Sequence, residues 1–283
     1  MILTSKEYVL DLSSPKVMGI LNVTPDSFSD GGQFYTRDTA LYHADQMLFE
    51  GASILDIGGE STRPGAEEIS VEEELSRVIP IIEAIRTRFD CWISIDTSKA
   101  DVMTEAVNAG VNLINDVRAL QEPKALDVAA AAGVSVCLMH MQGQPRSMQI
   151  YPHYNELFSD IHCFFEKRIE ACKQAGINKK QLILDPGFGF GKTLTHNYQL
   201  LSKLEDFHRH GLPILAGMSR KSMICGFLEK STSEVLGGSL ACATIAALKG
   251  AQLIRVHDIK ETSDVVRIVS MVRDSADLLG DIQ

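Results

Sequence analysis

The sequence predicts a single-domain (β/α)8 TIM barrel, and three observations predict it. Eight short apolar runs recur along the 283 residues, helical patterns separate them, and each run ends in residues able to do chemistry. The runs occupy residues 17–21, 54–57, 92–95, 113–114, 134–139, 182–184, 213–216 and 253–256. Apolar runs without alternation suit strands covered on both faces, as in a parallel sheet with helices outside. After them stand Asn22, Gly58-Gly-Glu-Ser-Thr-Arg63, Asp96, Asn115 with Asp116, His140, Asp185, Ser219-Arg-Lys-Ser222 and His257 with Asp258. Polar residues at the trailing ends of such strands mark the C-terminal face, where barrel enzymes keep their active sites.

In chain order, residues 1–14 alternate weakly through Tyr8, Val9, Leu10 and Leu12, which predicts a short hairpin closing the barrel floor. Ser70-Val-Glu-Glu73 and Ser98-Lys-Ala-Asp101 read as helix starts, a polar cap followed three residues later by an acid. Leu75, Val78, Ile79, Ile82 and Ile85 keep helical spacing, as do Leu157, Ile161, Phe164, Phe165 and Ile169. Gly51, Gly110, Gly133, Gly176, Gly211 and Gly250 each stand where a helix should end before the next strand. Residues 142–155 are the nearest thing to a linker, and they lie inside one βα unit, so residues 1–283 read as one domain with a core of about 15–280.

Charge narrows the function. A net charge of −10 opposes binding to nucleic acid or an anionic membrane surface. Yet Arg63, Lys192, Arg220, Lys221, Arg255 and His257 all follow strand ends, so cations gather at one rim, as a small anionic substrate requires. The 6 cysteines form no C-x-x-C pair; Cys137 and Cys242 sit in apolar segments and read as buried free thiols. The N-terminus carries no signal peptide, membrane span or lipidation motif, so the cytoplasm is the expected compartment.

Residues 22–32 and 58–66 are longer than ordinary βα connections and rich in Gly, Pro and Ser, the composition of lids that order on a substrate. The segment Gly187-Phe-Gly-Phe-Gly-Lys-Thr193 invites comparison with a phosphate-binding P-loop. That motif needs glycine at position 186, which is Pro186 here, so these glycines read instead as backbone lying close to a ligand beside Phe188 or Phe190.

Five segments carry a resemblance. Met18-Gly-Ile-Leu-Asn-Val-Thr-Pro-Asp-Ser-Phe-Ser-Asp30, Asp56-Ile-Gly-Gly-Glu-Ser-Thr-Arg-Pro-Gly65, Leu184-Asp-Pro-Gly-Phe-Gly-Phe-Gly-Lys192, Gly217-Met-Ser-Arg-Lys-Ser222 and Ile254-Arg-Val-His-Asp258 closely resemble bacterial dihydropteroate synthase. The likeness runs from about residue 17 to 262. It implies condensation of 6-hydroxymethyl-7,8-dihydropterin diphosphate with 4-aminobenzoate to 7,8-dihydropteroate and diphosphate, a folate-pathway step targeted by sulfonamides.

The resemblance also implies roles. A pterin edge offers a ring N–H beside an exocyclic amine, two donors that a carboxylate accepts well; Asp96, Asn115 and Asp185 are the implied partners. Lys221 would meet the pterin ring and flank the arylamine, with Thr62 also at the pterin diphosphate. Arg255 and His257 would bind the diphosphate, near Asn22 as the protein ligand of Mg2+, because the first and last strands of a barrel adjoin. Phe28, Asp30, Arg63, Pro64, Phe190, Ser219, Arg220 and Ser222 would form the 4-aminobenzoate pocket and its lids, with Asp30 pairing to Arg63. Asp96, Asp185, Lys221, Arg255 and His257 are the expected catalytic set for a dissociative substitution. His140 reads as a structural histidine, and Val235 as a departure in a structural region. A homodimer is implied, with the small-residue segment 239–247 as one candidate interface. The competing readings are a pterin-dependent methyltransferase domain and a non-catalytic pterin-binding protein.

Overall fold

The computed structural model describes residues 1–23, 33–61, 68–144 and 148–280. After β1 (Ile2–Ser5) and β2 (Tyr8–Asp11) come eight parallel strands. They are β3 (Lys16–Asn22), β4 (Ile54–Gly58), β5 (Trp92–Asp96), β6 (Leu113–Asp116), β7 (Ser135–Met139), β8 (Leu182–Asp185), β9 (Leu215–Ala216) and β10 (Leu253–Val256). Strands β3 to β8 pair in chain order, β10 lies between β3 and β9, and a parallel bridge from Leu184 to Ile214 closes the barrel. The helices follow their strands: α1 (Gln33–Phe49), α2 (Val71–Arg88), α3 (Ala100–Ala109), α4 (Ala125–Ala132), α5 (Leu157–Gln174), α6 (Leu194–Ser202), α7 (Ser222–Leu228), α8 (Leu236–Leu248) and α9 (Ile259–Gly280). All eight expected strands are present. The seventh is shorter than its apolar run because Pro213 has no N–H, and Gln252 Oε1 takes the Ile214 N–H at 2.8 Å.

Two apolar clusters separate the faces of this sheet. Leu55, Ile57, Ile93, Ile95, Ile254 and Val256 pack outward against the helices. Met18, Ile54, Trp92, Leu113, Cys137, Ile183, Leu215 and Leu253 fill the lower barrel interior. The β1–β2 hairpin puts Leu3 into that inner cluster, with Leu12 just beyond β2, so it closes the floor as the sequence predicts. With a side-chain period of two, the next inward layer falls on Ile20, Asp56, Ser94, Asn115, Met139, Asp185, Gly217 and Arg255, five of them polar. Polar groups are therefore stacked on an apolar floor.

Local signals explain most element ends. Ser70 Oγ accepts from Glu73 N at 3.1 Å and starts α2 as expected. Ser98 does not cap α3: the residue before that helix is Lys99, with no side-chain cap, and Ser98 Oγ donates to Asp116 Oδ1 at 2.5 Å. The reason is competition, since the fully buried Asp116 carboxylate needs donors and also accepts from Arg118 N and Leu120 N. All six helix-ending glycines have positive φ. Cys137 and Cys242 are buried and unbridged, and Val235 is fully buried at the start of α8.

Candidate active site

Arg255 is the centre of the barrel mouth. On β10 it reaches across the interior, donating from Nε to Asp56 Oδ2 on β4 at 2.6 Å and from Nη2 to Asp96 Oδ2 on β5 at 2.7 Å. Asn115 on β6 donates to the same Asp56 oxygen at 3.2 Å. Burial opposes the Arg255 charge, but Asp56 and Asp96 outweigh it and hold its pKa above the ordinary value. Two carboxylates share one guanidinium, so burial, eased by Arg255 and reinforced by Asp56, drives the Asp96 carboxyl up to about 7. Asp56 Oδ1 and Asp96 Oδ1 are buried without a hydrogen-bond partner among the described residues.

Asp185 and Lys221 form the adjoining wall. Asp185 Oδ1 accepts from Gly187 N at 2.7 Å, and burial raises its pKa against the pull of Lys221. Lys221 Nζ donates to Phe188 O at 2.6 Å and lies 4.7 Å from the centre of the Phe190 ring. Burial lowers the Lys221 ammonium to about 8, opposed by Asp185 and aided by Arg255. The segment between them folds tightly: a Cβ on Gly187 would lie 1.9 Å from His140 O, and φ there is +71°.

His257 and Ser219 meet where β10 and the chain after β9 come together, with Ser219 Oγ 3.1 Å from His257 Nδ1. Asn22 ends β3 opposite Gly58. A Cβ built on Gly58 would lie 3.5 Å from Asn22 Oδ1 and 4.0 Å from Asp96 Oδ2, so a glycine leaves that corner open.

Asn22, Asp96, Asn115, Asp185, Lys221, Arg255, His257, Phe190 and Ser219 thus all come to one end of the barrel. Ser222 begins α7 and is exposed. Phe28, Asp30, Thr62, Arg63 and Pro64, and with them the Asp30–Arg63 pair, lie outside the described residues.

Two cations of the expected rim are placed differently. Arg220 turns its guanidinium to Asp258, forming a two-pronged ion pair. Lys192 is only 2% exposed and points under the glycine segment, with Nζ 3.0 Å from both His140 Nδ1 and Phe190 O. Burial lowers this lysine to about 7, opposed by Asp185. His140 is accordingly structural: burial first, then Lys192, keeps its pKa well below the usual value, and its ring packs edge-on to Phe164 at 4.9 Å. Sequence reasoning missed Asp56, whose signal was a carboxylate inside an apolar run, two residues after the inward Ile54.

Residues 18–257 match the family model described as pterin binding enzyme. The dihydropteroate synthase of Escherichia coli (strain K12) is 59% identical over 260 residues, 92% of each chain. That of Haemophilus influenzae is 58% identical over 259 residues, covering 92% of this chain and 94% of its own. Among solved structures, the Yersinia pestis dihydropteroate synthase in a sulfonamide drug complex superposes with a TM-score of 0.93 at 59% identity, covering 97% of this chain and 100% of that one. The 7,8-dihydropteroate synthase of Vibrio fischeri ES114 does so at 0.88 and 64% identity, over 97% and 98%.

Proposed function

This chain belongs to the bacterial dihydropteroate synthases, which join 6-hydroxymethyl-7,8-dihydropterin diphosphate to 4-aminobenzoate with loss of diphosphate, and on that premise we propose how its barrel mouth carries the reaction. The observation that carries the reading is the buried cluster in which Arg255 bridges Asp56 and Asp96 while Asn115 donates to the same Asp56 oxygen. Asp96 presents Oδ1, which lacks a partner among the described residues, as an acceptor for pterin N–H groups, and Asp185 and Asn115 complete that edge. Thr62 is a further contact to the pterin diphosphate.

Arg255 keeps Nη1 for the diphosphate while Nε and Nη2 hold the carboxylates, and His257, set by Ser219, adds a second donor. The C–O bond breaks first, its electron pair leaving with diphosphate. The carboxylates of Asp96 and Asp185 stabilise the pterin cation left behind. The neutral arylamine then attacks with its lone pair and afterwards releases one proton. Lys221 and Phe190 hold the arylamine, with Phe28, Asp30, Arg63, Pro64, Ser219, Arg220 and Ser222 forming the rest of its pocket and lids.

The donor set fits Mg2+ only in company with the substrate. Among the described residues no three His, Cys, Asp or Glu side chains could hold a metal, and Asp96 Oδ2, which borders the same Gly58 corner as Asn22, is taken by Arg255. One amide oxygen, Asn22 Oδ1, beside an open corner suits a hard cation that keeps waters and takes phosphate oxygens. Asn22 would hold it, and the ion when bound supplies charge neutralisation for the leaving diphosphate. The same reading takes sulfonamides as ligands of the 4-aminobenzoate pocket, residues 1–283 as one domain, a homodimer with 239–247 as a candidate interface, and the cytoplasm as compartment.

The test is diphosphate release from the pterin diphosphate, with Mg2+ and 4-aminobenzoate each omitted in turn. Formation of 7,8-dihydropteroate only when all three are present supports the synthase reading; pterin binding without turnover would leave only a pterin-binding protein. Trapping of the pterin cation by water in the absence of amine supports the dissociative order. Release that strictly requires the amine would rule it out.

A further inference from the structure

The chain from 187 to 191 has no regular secondary structure, yet its carbonyls are met one by one. Gly187 O accepts from Phe190 N at 3.1 Å and Phe188 O from Lys221 Nζ at 2.6 Å. Gly189 O accepts from Gln149 Nε2, Phe190 O from Lys192 Nζ at 3.0 Å, and Gly191 O from the Tyr154 hydroxyl at 2.8 Å. Asn197 Oδ1 takes the Gly189 N–H at 2.7 Å. A segment so fully tied is a preformed wall.

Lys192 differs from the other side-chain donors on these carbonyls. Gln149 is exposed and Lys221 and Tyr154 are half-buried, whereas Lys192 is buried beneath the segment. Its ammonium has three N–H groups and three acceptors: Phe190 O at 3.0 Å, His140 Nδ1 at 3.0 Å and His140 O at 3.3 Å. That arrangement needs a neutral His140 carrying its proton on Nε2. The lysine thereby joins the end of β7 to the residue whose ring stands against Lys221.

We propose that Lys192 is a positioning residue for the arylamine: by clamping Phe190 O to the end of β7 it fixes the Phe190 ring against Lys221, and so sets affinity for the second substrate. This rests on reading the Phe190–Lys221 wall as the 4-aminobenzoate pocket. The pterin contacts Asp96, Asn115 and Asp185 stand on strands; of these only Asp185 meets the segment, through Gly187 N at 2.7 Å and not through Phe190.

The experiment compares wild type, Lys192→Met, Phe190→Ala and the double variant by steady-state kinetics, pterin diphosphate titration and thermal unfolding. Lys192→Met should raise KM for 4-aminobenzoate about tenfold, since sub-ångström misplacement is felt strongly in a site. Affinity for pterin diphosphate should stay within about twofold. In the Phe190→Ala background the lysine substitution should add less than about twofold, because its effect passes through that ring. Lys192→Gln, which retains a shorter donor, serves if the Met variant does not fold, and should give an intermediate KM. An unchanged KM, equal losses for both substrates, or full additivity with Phe190→Ala would overturn the proposal. A wild type that binds pterin but never uses 4-aminobenzoate would overturn the pocket reading instead.

Discussion

Asp56 and Arg255 lie 199 residues apart in the chain and meet inside the barrel through a 2.6 Å bond between Oδ2 and Nε. The same Asp56 oxygen accepts from Asn115, so one buried carboxylate holds both an expected diphosphate ligand and an expected pterin ligand. Removing one partner of a buried pair leaves the other charge uncompensated. Asp56→Ala should therefore cost about 3 kcal/mol of stability, read by urea unfolding. It should also weaken pterin diphosphate binding at least tenfold, about 1.4 kcal/mol, because Arg255 would be held by Asp96 alone. Binding that matched wild type would show that Asp96 suffices to aim Arg255.

The pH profile follows from the same cluster. Asp96 ionises only near 7, and Lys221 loses its proton near 8. Below about 7 Asp96 is protonated, and with Oδ2 held by Arg255 the proton sits on Oδ1 and spoils it as the pterin acceptor, so kcat/KM for the pterin substrate should fall as pH drops. Above about 8 a neutral Lys221 holds the wall less firmly, and kcat/KM should fall again. Since kcat/KM reports ionisations of the free enzyme and substrate, the profile should be a narrow bell between those values. Asp96→Asn should flatten the acid limb and Lys221→Met the alkaline one. An acid limb that survives in Asp96→Asn would assign it to Asp185, which burial also raises, or to the substrate phosphate.

Two glycines should respond oppositely to alanine. A Cβ on Gly187 would stand 1.9 Å from His140 O at φ +71°, whereas a Cβ on Gly226, inside α7, meets nothing within 4 Å. Gly187→Ala should cost at least about 2 kcal/mol from backbone strain and collision. Gly226→Ala should gain about 0.5–1 kcal/mol from helix propensity. Thermal unfolding of the two variants in opposite directions from wild type is the expected result; a neutral Gly187→Ala would mean that the 187–191 segment shifts cheaply.

The contrast between these positions also explains what was legible in the sequence. The eight strands and the mouth residues could be read because burial on both faces leaves an unbroken apolar run, and polar residues at the strand ends stop it. Asp56 hides inside the apolar run 54–57, although its place two residues after Ile54 is the inward phase of the same strand. Lys192 was read as a rim cation because it follows a strand end, but its direction depends on how residues 187–191 double back over His140. No period encodes that path. Ser98 was read as a cap on local grounds, and a buried carboxylate from another strand claimed its hydroxyl. Local rules failed where a distant charge set a stronger demand.

The base of the second long loop supplies a test that separates stability from function. Lys99 Nζ donates to Glu74 Oε2 at 2.6 Å and to Glu60 Oε2 at 2.8 Å, while Glu60 Oε1 accepts from Ile69 N at 2.9 Å. Glu60 and Ile69 thereby pin the two ends of the segment that carries Thr62, Arg63 and Pro64, and Lys99 ties them to α2. The Glu74 side chain is 0% exposed, so Lys99→Met should cost about 3 kcal/mol through the stranded carboxylate. Adding Glu74→Leu should recover most of that, because an apolar replacement for a buried pair is often neutral. It should not recover KM for 4-aminobenzoate, since Glu60 would still lack its tether. Recovery of both stability and KM in the double variant would show that Lys99 serves only to neutralise Glu74, and that the loop holds its catalytic position without it.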